Sequence, residues 1–126
     1  MTRINYKKAL IYHVPDKRRW EEKPKPAIKN PSDAIIRITK TTICGTDLHI
    51  IKGDVSEVIE GLILGHEEIG VIAEIGPGVS NFKIGNKDLI SCITSCGICE
   101  ACKKGMYSHC ETGGWILGHL PFYSCE

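Results

Sequence analysis

Four of the seven cysteines lie at a spacing that suits a single metal ion. Cys96, Cys99 and Cys102 are separated by two residues each, and seven residues then separate Cys102 from Cys110. Consecutive Cys-x-x-Cys steps can bring thiolates close enough to share one tetrahedral ion, and four thiolates around zinc form a closed, structural site. We therefore predict a structural zinc held by these four cysteines, in a lobe of about residues 92–111.

An iron–sulfur cluster, disulfides and a merely apolar core stay open as alternatives to zinc on sequence alone. Bacterial ferredoxins also begin with Cys-x-x-Cys steps, but their fourth cysteine follows after three residues and precedes a proline, whereas Glu111 follows Cys110 here. An odd number of cysteines does not suit a disulfide framework. His109 could replace Cys110 as a ligand, but with four cysteines available we expect it to face solvent. We interpret Cys92 as a buried, inert thiol.

A second group of residues could hold a metal that performs chemistry. Cys44 lies at the end of a predicted strand, and His66 and Glu67 end an apolar run that should be buried. A thiolate, an imidazole and one more ligand leave an open position on zinc, which is a feature of catalytic sites. Taken alone, however, His66 is also compatible with a core histidine and Cys44 with a buried, unreactive thiol.

The residues that follow Cys44 could support such chemistry. The sequence predicts a short helix that starts at about Leu48, is capped by Thr46 or Asp47, and ends by Gly53. Thr46 and His49 are three residues apart and would share a face of this helix. A hydroxyl that passes a proton to an imidazole is a plausible relay from a buried site to solvent. Asp47 could orient a metal-binding histidine from behind.

The rest of the chain predicts strands that would position these residues. Strands are expected at about residues 8–13, 34–42, 68–75 and 88–92. Prolines between the first two exclude central strands and interior helix. Gly76-Pro77-Gly78 predicts a turn and not a dinucleotide-binding loop, because a proline separates the glycines and no helix is predicted next. Asp88 should disturb its strand or lie at a bulge or an edge. Short strands with little helix indicate a mainly β domain.

Composition bounds the remaining choices. The 126 residues suffice for one domain with a core, and 16 Lys and Arg against 15 Asp and Glu give no electrostatic reason to expect a nucleic-acid or membrane partner. No apolar run approaches the roughly 18 to 20 residues that cross a bilayer, and the charged N-terminus does not suggest export. We therefore expect a cytoplasmic protein, where thiols stay reduced.

In combination these residues resemble the zinc-dependent medium-chain alcohol dehydrogenase family, specifically its N-terminal GroES-like domain. The resemblance runs from about residue 8 to residue 119. It is carried by CGTDLH (44–49), GHEEIG (65–70), GPGV (76–79), Phe82-x-x-Gly85, the lobe from Cys96 to Cys110, and GGWILGH (113–119). The resemblance implies a GroES-like, partly open β-barrel with short helices and a zinc-binding lobe.

The resemblance also implies roles for particular residues. Cys44 and His66 would bind the catalytic zinc, with Glu67 as an alternate ligand or a neighbouring carboxylate. Thr46 would take the proton of the alcohol, and His49 would relay it outward. Zinc lowers the pKa of the alcohol so that hydride can pass to the nicotinamide of NAD(P). The implied partners are a small alcohol or carbonyl substrate and, as a further expectation, a second copy of the chain.

The sequence departs from the family pattern after His119. By the resemblance, we expect that residues 1–126 include neither the Rossmann-type domain that holds NAD(P) nor the segment in which the third protein ligand of the catalytic zinc falls. We therefore expect residues 1–126 to be a truncated GroES-like domain that is inactive by itself, with NAD(P) bound only in a full-length enzyme. Cys125 could replace the third ligand only by chance. The alternative is a stand-alone zinc-binding structural module without catalytic activity.

Overall fold

A computed structural model describes residues 6–111, 113 and 114. The elements in chain order are β1 (Tyr6–Val14), β2 (Lys17–Pro24), β3 (Ala34–Thr41), α1 (Gly45–Lys52), β4 (Glu68–Ile75), β5 (Lys87–Ile90), α2 (Glu100–Lys103) and a single 3₁₀ turn (Tyr107–His109). This composition confirms the mainly β class with short helices. Within the described ranges the strands form two open sheets and no closed barrel, and no helix there is long and apolar enough to span a membrane.

The first sheet is an antiparallel hairpin of β1 and β2, with Leu10 opposite Trp20. Strand β2 was not predicted from the sequence, because its residues lie in the proline-rich segment. The strand forms there because Pro15 lies in the connecting turn and Pro24 is its last residue, so neither interrupts the ladder. Among the described strands, β2 pairs with β1 alone, which agrees with the expectation that no central strand occurs in this segment.

The second sheet has the antiparallel order β3-β4-β5, with β4 in the centre. The predicted bounds of β4 agree with the structure, and β3 is one residue shorter than predicted. Strand β5 covers Lys87–Ile90 and not residues 88–92. Asp88 lies opposite Gly70 on this edge strand, as expected for a charged residue in a strand. A Cβ atom at Gly70 would lie 2.8 Å from the carbonyl oxygen of Arg37 on β3, so the backbones of β3 and β4 approach closely here.

The two sheets meet through the segment that precedes His66. Tyr12 donates its N–H to the Leu62 oxygen at 2.9 Å, and Leu64 donates to the Leu10 oxygen at 2.9 Å. Ile11, which is fully buried, lies in the middle of this bridge opposite Ile63. Burial of an isoleucine side chain of this kind contributes about 1.5–3 kcal/mol to folding. The apolar core therefore also fixes the backbone that leads to His66.

A histidine with two carboxylate partners ties the same region together. His13 on β1 lies 2.9 Å from Glu21 on β2 through Nε2, and 3.1 Å from Glu60 through Nδ1. The hydrogen bonds to Glu60 and then Glu21 raise the pKa of His13 above its ordinary value. Both ring nitrogens can donate only when the imidazole is protonated, so this contact is strongest in the charged form.

The glycines at 76 and 78 serve a turn. Gly78 donates its N–H to the Pro31 oxygen at 2.8 Å, and Val79 donates to the Gly76 oxygen at 3.1 Å. A side chain at Gly76 would meet the Asn30 oxygen at 2.8 Å, so this turn packs directly on the loop before β3. Strand β5 follows the turn, and the dinucleotide-binding interpretation that the sequence analysis rejected has no helix here to support it.

Candidate metal centres

The N-terminus of α1 is built around Cys44. Its Sγ accepts the Thr46 N–H at 3.3 Å, while the Asp47 Oδ2 accepts the Cys44 N–H at 2.9 Å. This reciprocal pair is a capping box in which cysteine takes the place usually held by Ser or Thr. The helix therefore begins at Gly45, and the predicted start at about Leu48 was wrong. Capping preferences alone did not indicate a sulfur cap.

The structure brings Cys44 and His66 together although they are 22 positions apart in the sequence. The Cys44 Sγ lies 3.1 Å from the His66 Nε2, and the ring of His66 is 4% exposed. On the other side of the ring, the Asp47 Oδ1 lies 3.3 Å from Nδ1. These three side chains form a group whose ligand atoms all lie within 4.8 Å of one another. Asp47 thus lies on the side of the ring away from Cys44, and its role in orienting a metal-binding histidine stays a prediction.

The donor set and its geometry fit a zinc ion. Zn–S and Zn–N bonds of about 2.3 and 2.0–2.1 Å at a tetrahedral angle separate sulfur and nitrogen by about 3.5 Å, close to the 3.1 Å between Cys44 and His66. The Asp47 Oδ1 is buried and has no hydrogen bond among the described residues, so it is available to fix Nδ1 of the ring. Nε2 would then face the ion.

Glu67 is less closely placed than the sequence analysis assumed. Its side chain is 42% exposed, and its Oε1 lies 4.0 Å from the His66 Nε2. The three-residue group contains Asp47 and not Glu67. The assignment of Cys44, His66 and Glu67 as ligands of a catalytic zinc therefore stays a prediction, with Glu67 at the margin of the site.

Glu68 is an acidic residue that the sequence analysis missed. It is 8% exposed, and its Oε2 has no hydrogen bond in the part of the chain described. Burial raises the pKa of this carboxyl, the neighbouring His66 opposes the rise, and the charges of Asp47 and Glu67 add to it. Strand alternation was the available signal, because Glu68, Gly70 and Ile72 share the buried face of β4.

Thr46 and His49 both lie on α1, Thr46 in its first turn. Thr46 is half-buried, whereas the His49 side chain is 63% exposed. The two side chains are not hydrogen-bonded to each other in the described structure. His49 instead contacts Asp54, with 2.8 Å between Nδ1 and Oδ2. The helix thus carries one group near the candidate site and another in solvent, and the relay role of both residues stays a prediction.

The four lobe cysteines also form one group, with all sulfur atoms within 4.8 Å of one another. Backbone N–H groups point at the sulfurs: that of Cys96 at the Cys110 Sγ (3.2 Å), and that of Cys99 at the Cys96 Sγ (3.4 Å). Backbone hydrogen bonds, first from Glu111, lower the pKa of Cys99, and burial raises the pKa of Cys102 to about 12. Thiols this close together do not all ionise readily, because the thiolates would repel one another. A divalent cation among them would favour the thiolate form instead.

The remaining thiols and the chain end differ in how far they match the sequence-based predictions. None of the described cysteines forms a disulfide. Cys92 is half-buried and not buried as predicted, because β5 ends at Ile90 and leaves it outside the sheet. His109 is exposed and contacts the Ser108 hydroxyl, outside the sulfur group. Residues 115–126, which include most of GGWILGH, His119 and Cys125, lie outside the described residues.

Comparisons with known proteins identify the family of this chain. The family model of the alcohol dehydrogenase GroES-like domain matches residues 30–125. The chain is 37% identical over 111 residues to zinc-type alcohol dehydrogenase B of Aspergillus flavus, which covers 88% of this chain and 26% of that protein.

Solved structures of alcohol dehydrogenases have a similar fold over most of this chain. Zinc-dependent alcohol dehydrogenase 2 from Streptococcus pneumoniae in its apo form superposes with a TM-score of 0.82 at 59% identity, over 86% of this chain and 32% of that one. An alcohol dehydrogenase from Thermus sp. ATN1 superposes with a TM-score of 0.85 at 30% identity, over 93% and 33%. The chain spans about a quarter to a third of the length of these relatives. The resemblance inferred from the sequence is confirmed, and the chain belongs to the alcohol dehydrogenase GroES-like domain family.

Proposed function

We propose that this chain is the zinc-binding catalytic domain of an NAD(P)-dependent alcohol dehydrogenase, which oxidises an alcohol to an aldehyde or ketone or catalyses the reverse reaction. One observation carries the proposal: the Sγ of the half-buried Cys44 and the Nε2 of the buried His66 converge at 3.1 Å, beside the helix that bears Thr46 and His49. Family membership supports it, since the A. flavus relative is named a zinc-type alcohol dehydrogenase.

Each of the two side chains proposed as zinc ligands is supported by neighbouring contacts. Cys44 is fixed by the first turn of α1, and His66 is fixed by the strand bridge before it and by Asp47 behind its ring. Glu67 is close enough to serve as an alternate ligand or a neighbouring carboxylate. When bound, zinc would lower the pKa of the alcohol, and NAD(P) would accept the hydride.

The proton of the alcohol would leave through α1. Thr46 follows Cys44 by two residues and is half-buried, so its hydroxyl can accept the proton and pass it on. His49 lies on the next turn and is largely in solvent, where it can release the proton. The pair would thus connect a buried reaction with bulk water.

The second metal would be structural. Cys96, Cys99, Cys102 and Cys110 supply four sulfurs with no open position, which is the form of a closed zinc site. Such a site holds short irregular segments that have little core of their own. Its role under this proposal is stability of the lobe and not chemistry.

The wider setting of the enzyme follows from the same proposal. A separate Rossmann-type domain would hold NAD(P), and the substrate would be a small alcohol or carbonyl compound. The thiolate ligands need a reducing compartment, which favours the cytoplasm. The balanced charge supports neither a nucleic-acid nor a membrane partner, and self-association of the protein into a homo-oligomer is part of the proposal.

Metal substitution tests the proposal directly. With zinc in the lobe, added Co²⁺ should bind near Cys44 and give thiolate charge-transfer and visible bands, and Cys44→Ala or His66→Ala should abolish them. The absence of a Cys44-dependent band would favour the stand-alone structural module. The purified 126 residues should not turn over ethanol or 2-propanol with NAD(P), because the sequence has no dinucleotide-binding motif. Turnover that Cys44→Ala abolishes would make these residues a complete enzyme.

A further inference from the structure

The C-terminus of α1 has a sharply defined geometry. Gly53 adopts φ 85°, and its N–H donates to the Ile50 oxygen at 3.0 Å. The Asp54 N–H then donates to the His49 oxygen at 3.0 Å. A side chain at Gly53 would lie 2.6 Å from the Pro15 Cγ, so the turn is also packed against the hairpin. This left-handed cap reverses the chain directly over the last turn of the helix.

The reversal brings Asp54 back to His49. Side chains face each other along a regular helix only at separations of three or four residues, and these two are five apart. Because of the cap, the Asp54 Oδ2 nevertheless lies 2.8 Å from the His49 Nδ1, the range of a charge-assisted hydrogen bond.

We propose that Asp54 is a positioning residue for His49, which it holds in the tautomer with the proton on Nδ1. An ionised carboxylate can only accept hydrogen bonds, so Nδ1 must be the donor of this pair. The neutral ring then carries its lone pair on Nε2, which becomes the one nitrogen able to accept a proton. The inference rests on the proposed function in one respect, namely that His49 is the relay.

The arrangement makes Nε2 the nitrogen through which the ring takes up and releases a proton. Nε2 takes the proton that originates at the alcohol, the ring becomes doubly protonated, and the Asp54 carboxylate stabilises that cation while Nε2 releases the proton to solvent. Both side chains are more than half exposed. Their pairing therefore contributes little to folding, so the tautomer can be perturbed without loss of the domain.

Long-range ¹H–¹⁵N NMR of the zinc-loaded 126-residue chain, recorded with the His49 ring neutral, tests the inference. Wild-type His49 should show a protonated Nδ1 and an unprotonated Nε2. Asp54→Ala should lose this preference and shift toward the Nε2–H form. Asp54→Asn should give a mixture, because its amide can either accept or donate. Glu57→Ala removes an exposed acid from the same loop without contact to His49 and should leave the tautomer unchanged.

An Nε2–H tautomer of His49 in the wild-type chain would overturn the inference, as would an Asp54→Ala spectrum identical to wild type. If Asp54→Ala does not fold, the wild-type and Asp54→Asn spectra decide. The result is independent of metal binding at Cys44. If His49 is in the Nδ1–H form but no second metal binds near Cys44, the proposed function is refuted and this inference is not. If a second metal binds but His49 is in the Nε2–H form, this inference is refuted and the proposed function is not.

Discussion

Replacement of Asp47 by asparagine would separate the two roles of this side chain. One carboxylate oxygen accepts the Cys44 N–H at 2.9 Å, and the other lies 3.3 Å from the His66 Nδ1. Asparagine keeps an acceptor oxygen for Cys44 but presents an NH₂ group toward His66, and an amide NH₂ cannot accept a hydrogen bond from the Nδ1–H group. We expect Asp47→Asn to keep the helix cap and to lose the support of the histidine.

The two effects have different magnitudes. Loss of the group that orients a metal-binding histidine costs about 10- to 100-fold in metal affinity, which equals about 1.4–2.8 kcal/mol. The free energy of unfolding of metal-free Asp47→Asn should change by about 1 kcal/mol or less, because the hydrogen bond to Cys44 remains. Asp47→Ala removes both contacts, so its unfolding free energy should fall by a further amount of about 0.5–2 kcal/mol, the range of a lost helix cap.

The assay is a Co²⁺ titration of the chain with zinc in the lobe, followed by urea unfolding of the metal-free protein. Asp16→Asn is the matched control, because Asp16 is exposed and its φ of 61° is one that asparagine adopts readily. It should change neither quantity. Equal Co²⁺ affinity of Asp47→Asn and wild type would refute the reasoning and leave Asp47 as a helix cap only.

Three further perturbations have expected outcomes. Cys99→Ser should weaken zinc binding, measured by metal analysis, and lower the melting temperature, measured by a thermal scan. Cys92→Ser is the control and should change neither quantity. Bound iron with a visible absorption band would contradict the zinc assignment. His13 has a raised pKa in the folded chain, so its stabilising contacts should be fully present below about pH 6.5 and lost as the pH rises through the folded-state value. His13→Gln should flatten that part of a urea-unfolding profile against pH, and His109→Gln should not. Gly53→Ala should cost at least about 2 kcal/mol of unfolding free energy by urea titration, because it forces φ 85° and a 2.6 Å contact with a proline ring; an unchanged midpoint would contradict this.

The features that sequence reasoning predicted correctly depend on neighbours along the chain. Strand β4 was predicted with its observed bounds because its β-branched residues define an extended segment locally. The four lobe cysteines lie within fifteen residues of sequence, so short turns alone suffice to bring their sulfurs together. The turn at Gly76 and Gly78 was predicted for the same reason. In each case residues only a few positions apart in the chain determine the local geometry.

The contacts that make the second site depend on parts of the chain that are far apart. The spacing of Cys44 and His66 does not show which ring nitrogen meets the sulfur, since that follows from the bridge between β1 and the segment before His66. The folded packing also decides that Asp47 serves the helix and the histidine at once, and that Glu68 is buried without a hydrogen bond to its Oε2 among the described residues. The sequence by itself determined which residue types were available and which stayed close along the chain. Only the tertiary structure decided their contacts and orientation, because both arise from packing between elements that lie far apart in the chain.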